Sequence, residues 1–161
     1  MTDLLVVSHV SHYLWQGDLF AYGPYVHEID IWADLFSEIV ISAPCRRESP
    51  TRDAAAFTRQ NIRIVPQSET GGITRIAKLR QIVMLPALIF TLCRAMAQAD
   101  AIHVRCPGNL GLLGAILAPL FSKKIIAKYA GQWTGYPGEP WTFRLQRGLL
   151  RSRWWRGPVT V

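Results

Sequence analysis

Three segments of this chain concentrate side chains able to do chemistry, and each follows a short apolar run. The first, residues 9–23, holds His9 and His12 together with Trp15, Gln16, Gly17, Asp18 and Tyr22. Such a mixture suits a hydroxyl-rich ligand, whose polar edges need hydrogen bonds while its C–H faces lie on aromatic rings. The second is Arg105-Cys106-Pro107-Gly108-Asn109, just before a helical pattern. The free N–H groups and dipole at that helix start would favour an anion, and Arg105 would reinforce the preference. The competing reading pairs Arg105 with a local carboxylate and gives Gly108, Gly111 and Gly114 the task of letting the helix approach a sheet. The third segment, residues 128–138, carries three glycines, two tyrosines and a tryptophan, with Gly131-Gln132-Trp133 at its centre. Ordering it costs chain entropy and adds little to a core, so it reads as a binding loop.

Other chemistries find less support. His9 and His12 stand three apart with no third ligand at a recognisable spacing, so no metal site is expected. The first reading makes one of them a structural residue at the strand end; the alternative makes one a hydrogen-bond donor or base in a crevice. No G-x-G-x-x-G and no Walker motif occurs, which argues against a dinucleotide or P-loop nucleotide and weakens a Rossmann-type oxidoreductase. Cys45, Cys93 and Cys106 form an odd set without C-x-x-C spacing and read as reduced, buried thiols.

The elements that must position these residues alternate. Apolar runs predict strands at residues 3–8, 39–42, 61–65, 101–104 and 124–127, with a further one beginning at 158. Helical spacing covers residues from Pro24 through Phe36, 73–98, the stretch from Asn109 and a basic segment at 141–155. Residues 9–23 and 43–60 read as connections, the latter with one helical turn at 54–57. Strands alternating with helices predict an α/β fold with a doubly wound, mostly parallel, Rossmann-like sheet. Ligands of such sheets bind beyond the carboxyl ends of the strands, where all three segments should lie.

The 161 residues are half hydrophobic and 18% charged, as expected for one folded domain. The apolar stretches 82–93 and 110–121 fall well short of the roughly 20 residues that span a bilayer, and Pro86 and Pro119 should kink or stop their helices. The amino terminus lacks the features of a secretory signal, so the cytoplasm is the expected compartment. The net charge of +7 gathers near the end of the chain, with a smaller set at Arg75, Lys78 and Arg80. Arg144, Arg147 and Arg151 recur at i, i+3 and i+7 as one helical stripe, with Trp141, Leu145 and Leu149 on another. This stripe is either a solvated face or, with Trp154-Trp155 beside it, a seat on an anionic membrane surface.

The run Ala-Asp-Ala-Ile-His-Val-Arg-Cys-Pro-Gly-Asn (99–109) and the run Lys-Tyr-Ala-Gly-Gln-Trp (128–133) resemble the amino-terminal domain of bacterial retaining glycosyltransferases of family 4. The similarity spans nearly the whole chain and is strongest over residues 99–133. It implies one half of a GT-B architecture, residues 1–161 being the acceptor-side domain, truncated inside a sixth strand, with the donor-binding domain absent. It implies acceptor contacts near Gly17 and from the loop after the fifth strand. Many members carry a histidine in that loop; here Gly131-Gln132-Trp133 stands instead, so no catalytic histidine transfers, and Gln132 would at most hydrogen-bond acceptor or sugar. The catalytic candidates are therefore His9, His12 and Gln132. The acceptor-binding candidates are Trp15, Gln16, Gly17, Asp18, Arg105, Asn109, Gly131, Gln132 and Trp133. This domain would bind no cofactor or metal itself, the nucleotide-sugar belonging to the missing domain. The expected partners are a sugar or lipid-linked acceptor, a separate donor domain and the inner membrane surface, with no nucleic acid. The alternative is a non-catalytic binding or scaffold module.

Overall fold

The computed structural model describes residues 2–67 and 75–161, with backbone alone for 75–82. The loop with Gly71-Gly72, the helix start at Ile73 and the side chains of Arg75, Lys78 and Arg80 lie outside the described residues. The run Leu-Leu-Val-Val forms β1 (Asp3–Val7), with all four side chains buried. Residues 9–23 are not a plain loop. They contain a hairpin of β2 (His12–Trp15) and β3 (Asp18–Tyr22), turned at Gln16-Gly17, both with positive φ. That backbone suits a two-residue hairpin turn, whose twist matches the flanking strands. Helix α1 (Gly23–Ala33) starts with proline in its first turn, where the missing N–H costs nothing.

Next come β4 (Glu38–Arg46), β5 (Ala54–Ala56) and β6 (Ile62–Gln67). The expected helical turn at 54–57 is thus a strand: three alanines favour helix locally, but pairing with β3 prevails. Helix α2 (Arg75–Gln98) continues past Pro86, so the proline does not stop it. The chain continues through β7 (Ala101–Cys106), α3 (Asn109–Leu117), β8 (Lys124–Tyr129), α4 (Trp141–Arg151) and β9 (Val159–Thr160). Helix α4 ends four residues earlier than its pattern suggests, where Ser152 turns extended and caps the Leu149 carbonyl with its hydroxyl.

Among the described residues, nine strands form one mixed, mostly parallel sheet. Its parallel members lie side by side as β6-β4-β1-β7-β8-β9. Counting only these, the spatial order is third, second, first, fourth, fifth, sixth, the doubly wound arrangement in which strand order reverses between β1 and β7. The hairpin extends the sheet past the carboxyl end of β4: β2 pairs with it at Cys45 and Arg46, and β3 carries β5 outside it.

Two apolar layers flank the sheet. On one side α1 packs Val26, Ile29 and Ala33 on Leu4, Val6, Ile39 and Ile41. On the other, Leu92 and Met96 of α2, Leu110 of α3 and Leu150 of α4 pack on Leu5, Val7, Ile102, Val104 and Ile125. Glycine permits the closest approach: a Cβ at Gly111 would strike the Arg105 carbonyl, and one at Gly114 would press Val104 and Val7. All three cysteines are free, but only Cys106 is buried; Cys45 and Cys93 are half-buried, against the expectation of three buried thiols.

Candidate functional site

A cleft of about 790 Å³ opens beyond the carboxyl ends of β1, β7 and β8, beneath the first turns of α1. Its size falls within the range of small-molecule sites, roughly 300–1,000 Å³, and its position is the switch point of the sheet. Alternation along β7 sends His103 and Arg105 to the α1 side and Val104 and Cys106 to the other. Arg105 is paired in register with Lys128 of β8, so two cations stand side by side on one face. Glu28, on α1, answers both. Its Oε2 accepts a hydrogen bond from Arg105 Nη1 at 2.8 Å, and its Oε1 accepts one from Lys128 Nζ at 2.6 Å. Burial pushes the Glu28 carboxyl up, but the hydrogen bonds and charges of Lys128 and Arg105 outweigh it and hold the group below the ordinary carboxylate range. The Arg105 guanidinium also lies 4.8 Å from the centre of the Tyr25 ring.

This arrangement realises the pairing of Arg105 with a local carboxylate and the close-packing role of Gly111 and Gly114. One net positive charge remains in the cluster of two cations and one acid. The start of α3 is likewise less open than a bare helix terminus, because the Gly108 N–H donates to Gln146 Oε1 at 3.1 Å. Asn109 is the first residue of that helix.

His9 lines the cleft with its ring against Gly108, where a Cβ would come within 2.8 Å of the imidazole. Burial, then the charge of Arg105, lower its pKa below the usual histidine value. At neutral pH the ring is therefore uncharged and able to accept a proton or donate a hydrogen bond. His12 lies elsewhere. It is fully buried, stacks on Phe57 at 5.9 Å, meets the Tyr25 ring edge-on at 5.4 Å, and donates from Nδ1 to the Val10 carbonyl at 2.8 Å. Burial depresses it to about 4, against the pull of the Val10 and Pro44 carbonyls. His12 is a core residue.

The remaining sequence candidates separate. Trp15, Gln16, Gly17 and Asp18 occupy the hairpin tip, where Trp15 pairs with Asp18 and nothing lies within 4 Å of a Cβ built on Gly17. They do not line the cleft. Ala130 lines it, while Gly131 packs just behind, beside Pro107 and Tyr129. Beyond it the loop turns down along α4. Gln132 is exposed, and its Nε2 donates to Thr134 Oγ1 at 3.1 Å. Trp133 meets Tyr129 edge-on at 5.2 Å, beneath the Arg151 guanidinium at 4.7 Å. The cause is a buried ion pair. Arg147 donates through both terminal nitrogens to the Glu139 carboxylate and reaches Tyr129 Oη at 3.3 Å and the Gln132 carbonyl at 3.5 Å.

Arg147 therefore does not belong to the surface stripe with Arg144 and Arg151. At about 100° per residue it sits some 40° to 60° further round the helix than either, under the loop, and is buried. Glu28, Lys128 and Phe143 are among the residues that line the cleft without having been singled out as site residues. The signal for Glu28 was its place in the first turns of the helix after the first loop, which in a doubly wound sheet borders the switch point. Among the described residues no group of three His, Cys, Asp or Glu side chains is arranged to hold a metal, and none of their helices is long and apolar enough to cross a membrane.

Comparison with known proteins returns no matching family model, no matching curated protein and no matching solved structure.

Proposed function

We propose that the switch-point cleft binds the acceptor of a sugar-transfer reaction, and that the chain is the acceptor-side half of a GT-B glycosyltransferase working with a donor-binding domain. The reading is supported by one observation above the others. The cleft sets a neutral imidazole, His9, beside a cationic cluster with one uncompensated charge and beside the aromatic rings of Tyr22 and Phe143. A saccharide needs that combination of hydrogen-bonding groups and flat faces, and a phosphate or diphosphate on a lipid-linked acceptor would meet the residual positive charge. His9 is the group placed to orient an acceptor hydroxyl or take its proton. The resemblance of residues 99–109 and 128–133 to family 4 adds to this reading.

A second reading, a binding module without chemistry of its own, is favoured by the loop after β8, where Gln132 and Trp133 are held against α4 instead of facing the cleft. Calorimetry against free saccharides and short-chain polyprenyl diphosphate sugars tests both readings. Binding that is lost in Arg105→Ala and His9→Ala and kept in Gln16→Ala supports the acceptor site. Transfer from a nucleotide-sugar by the chain joined to its donor domain, abolished in His9→Ala, separates the enzyme from the module. Binding that depends on the hairpin tip, or none, overturns the proposal.

A further inference from the structure

The charge of the chain is distributed with a sharp asymmetry. Residues 101–161 contain nine lysines and arginines against a single acid, Glu139, whereas residues 1–100 hold nine against ten. The whole positive excess therefore belongs to the last third of the chain. Three of those nine cations are held in internal ion pairs, Arg105 and Lys128 with the one carboxylate of Glu28 and Arg147 with Glu139. Among the described residues, Arg144, Arg151, Arg153 and Arg156 make no ion pair, and all four are exposed.

The same surface exposes large apolar side chains. On α4, Trp141 is 67% and Leu145 46% exposed. With Gly148 they recur at four and three residues, one narrow stripe facing outward, flanked on one side by Arg144 and Arg151. Trp154 continues it past the helix end and donates from Nε1 to the Ile116 carbonyl at 3.2 Å. That bond joins the stripe to α3, where Ile116 is 40% and Leu120, just beyond, 63% exposed. Core packing explains none of these five, since the inward face of α4 is already supplied by Gln146, Arg147 and Leu150.

We propose that this outer face of α3 and α4 docks flat on an anionic lipid bilayer, Trp141, Leu145 and Trp154 entering the headgroup boundary and Arg144, Arg151 and Arg153 meeting lipid phosphates. Charge decides the occupant: tryptophan and arginine both favour the bilayer interface, and a cationic face without acids repels a second copy of itself. The helix is 11 residues long, about 16 Å, so it lies in the interface and does not cross it. The inference rests on exposure and charge, independent of what the cleft binds.

Flotation of the intact chain with phosphatidylglycerol-containing and pure phosphatidylcholine vesicles tests it, with tryptophan emission read in parallel. Recovery with the anionic vesicles alone, weakened by salt and accompanied by a blue shift, is expected. Arg144→Gln and Arg153→Gln should each weaken recovery on the order of fivefold. Trp141→Ser combined with Leu145→Ser should abolish it. Gly148→Leu fills open space beside the stripe and should strengthen binding with the fold intact, so failure of other variants to fold would not hide the effect. Equal recovery on both vesicle types, no recovery on either, no gain from Gly148→Leu, or light scattering showing a dimer that buries this face would overturn the proposal.

Discussion

Arg105 and Lys128 face the same way on neighbouring parallel strands, and like charges so placed repel unless an acid lies between them. Glu28 supplies it from a helix 77 residues away from Arg105 along the chain. Glu28→Gln preserves the shape and removes the charge, leaving a buried and a half-buried cation side by side. Urea unfolding should show a loss of about 1–3 kcal/mol, partly recovered when Lys128→Met is added, because residues in one network couple. Full additivity of the two variants would mean that the three side chains do not act as a unit. Protonation belongs to the same scale. His12 and His103 are both pushed down to about 4, chiefly by burial, and Glu139 is lowered by the hydrogen bond from Arg147. For all three the folded value lies below the unfolded one, so their contribution is complete above the unfolded value and fades as pH falls through the folded one. Stability should start to decline below about pH 6.5 as unfolded histidines take up protons, and more steeply below about 4.3 as carboxylates join. A urea midpoint unchanged between pH 7 and pH 5 would contradict the histidine burial.

At the scale of elements, close approach and open space make opposite predictions for the same substitution. Gly111→Ala puts a methyl group onto the Arg105 carbonyl, and overpacking of this kind costs about 1–3 kcal/mol or more. Because Arg105 is the residue displaced, ligand binding in the cleft should fall as well. Gly148→Ala meets nothing within 4 Å and should raise stability by about 0.5–1 kcal/mol through helix propensity alone. Thermal unfolding of the pair checks both signs. The parallel strands were legible because each is a short apolar run ended by polar or glycine residues, a pattern local to the run. The hairpin was not, since Tyr13, Leu14 and Trp15 are as apt for a binding loop as for a strand. Only the Gln16-Gly17 turn and its pairing along β4 decide between them. Likewise β5 is three alanines whose strand state exists only through β3. Arg147 was misassigned because i, i+3, i+7 spacing describes a stripe without saying where its edge passes under a neighbouring loop.

For the whole molecule, strand order is what brings residue 9, residue 28, residue 105 and residue 128 to one place, and none of these distances was readable from spacing. The loops after β1, β7 and β8 could be named from sequence, and each does contribute to the cleft, through His9, through Pro107 beside Arg105, and through Ala130, the neighbour of the candidate Gly131. Which side chains of those loops face inward depended on Glu28 drawing two cations together and on Glu139 and Arg147 drawing Gln132 and Trp133 away. The direct check is backbone amide shift mapping of the intact chain during titration with short saccharides and their diphosphate-linked forms. The proposed acceptor site requires the perturbed amides to cluster at residues 9–10, 28, 105–108 and 128–131, with the hairpin tip at 14–18 unmoved. Perturbations centred on the hairpin tip or spread along α4, or a spectrum that no saccharide changes, would contradict it.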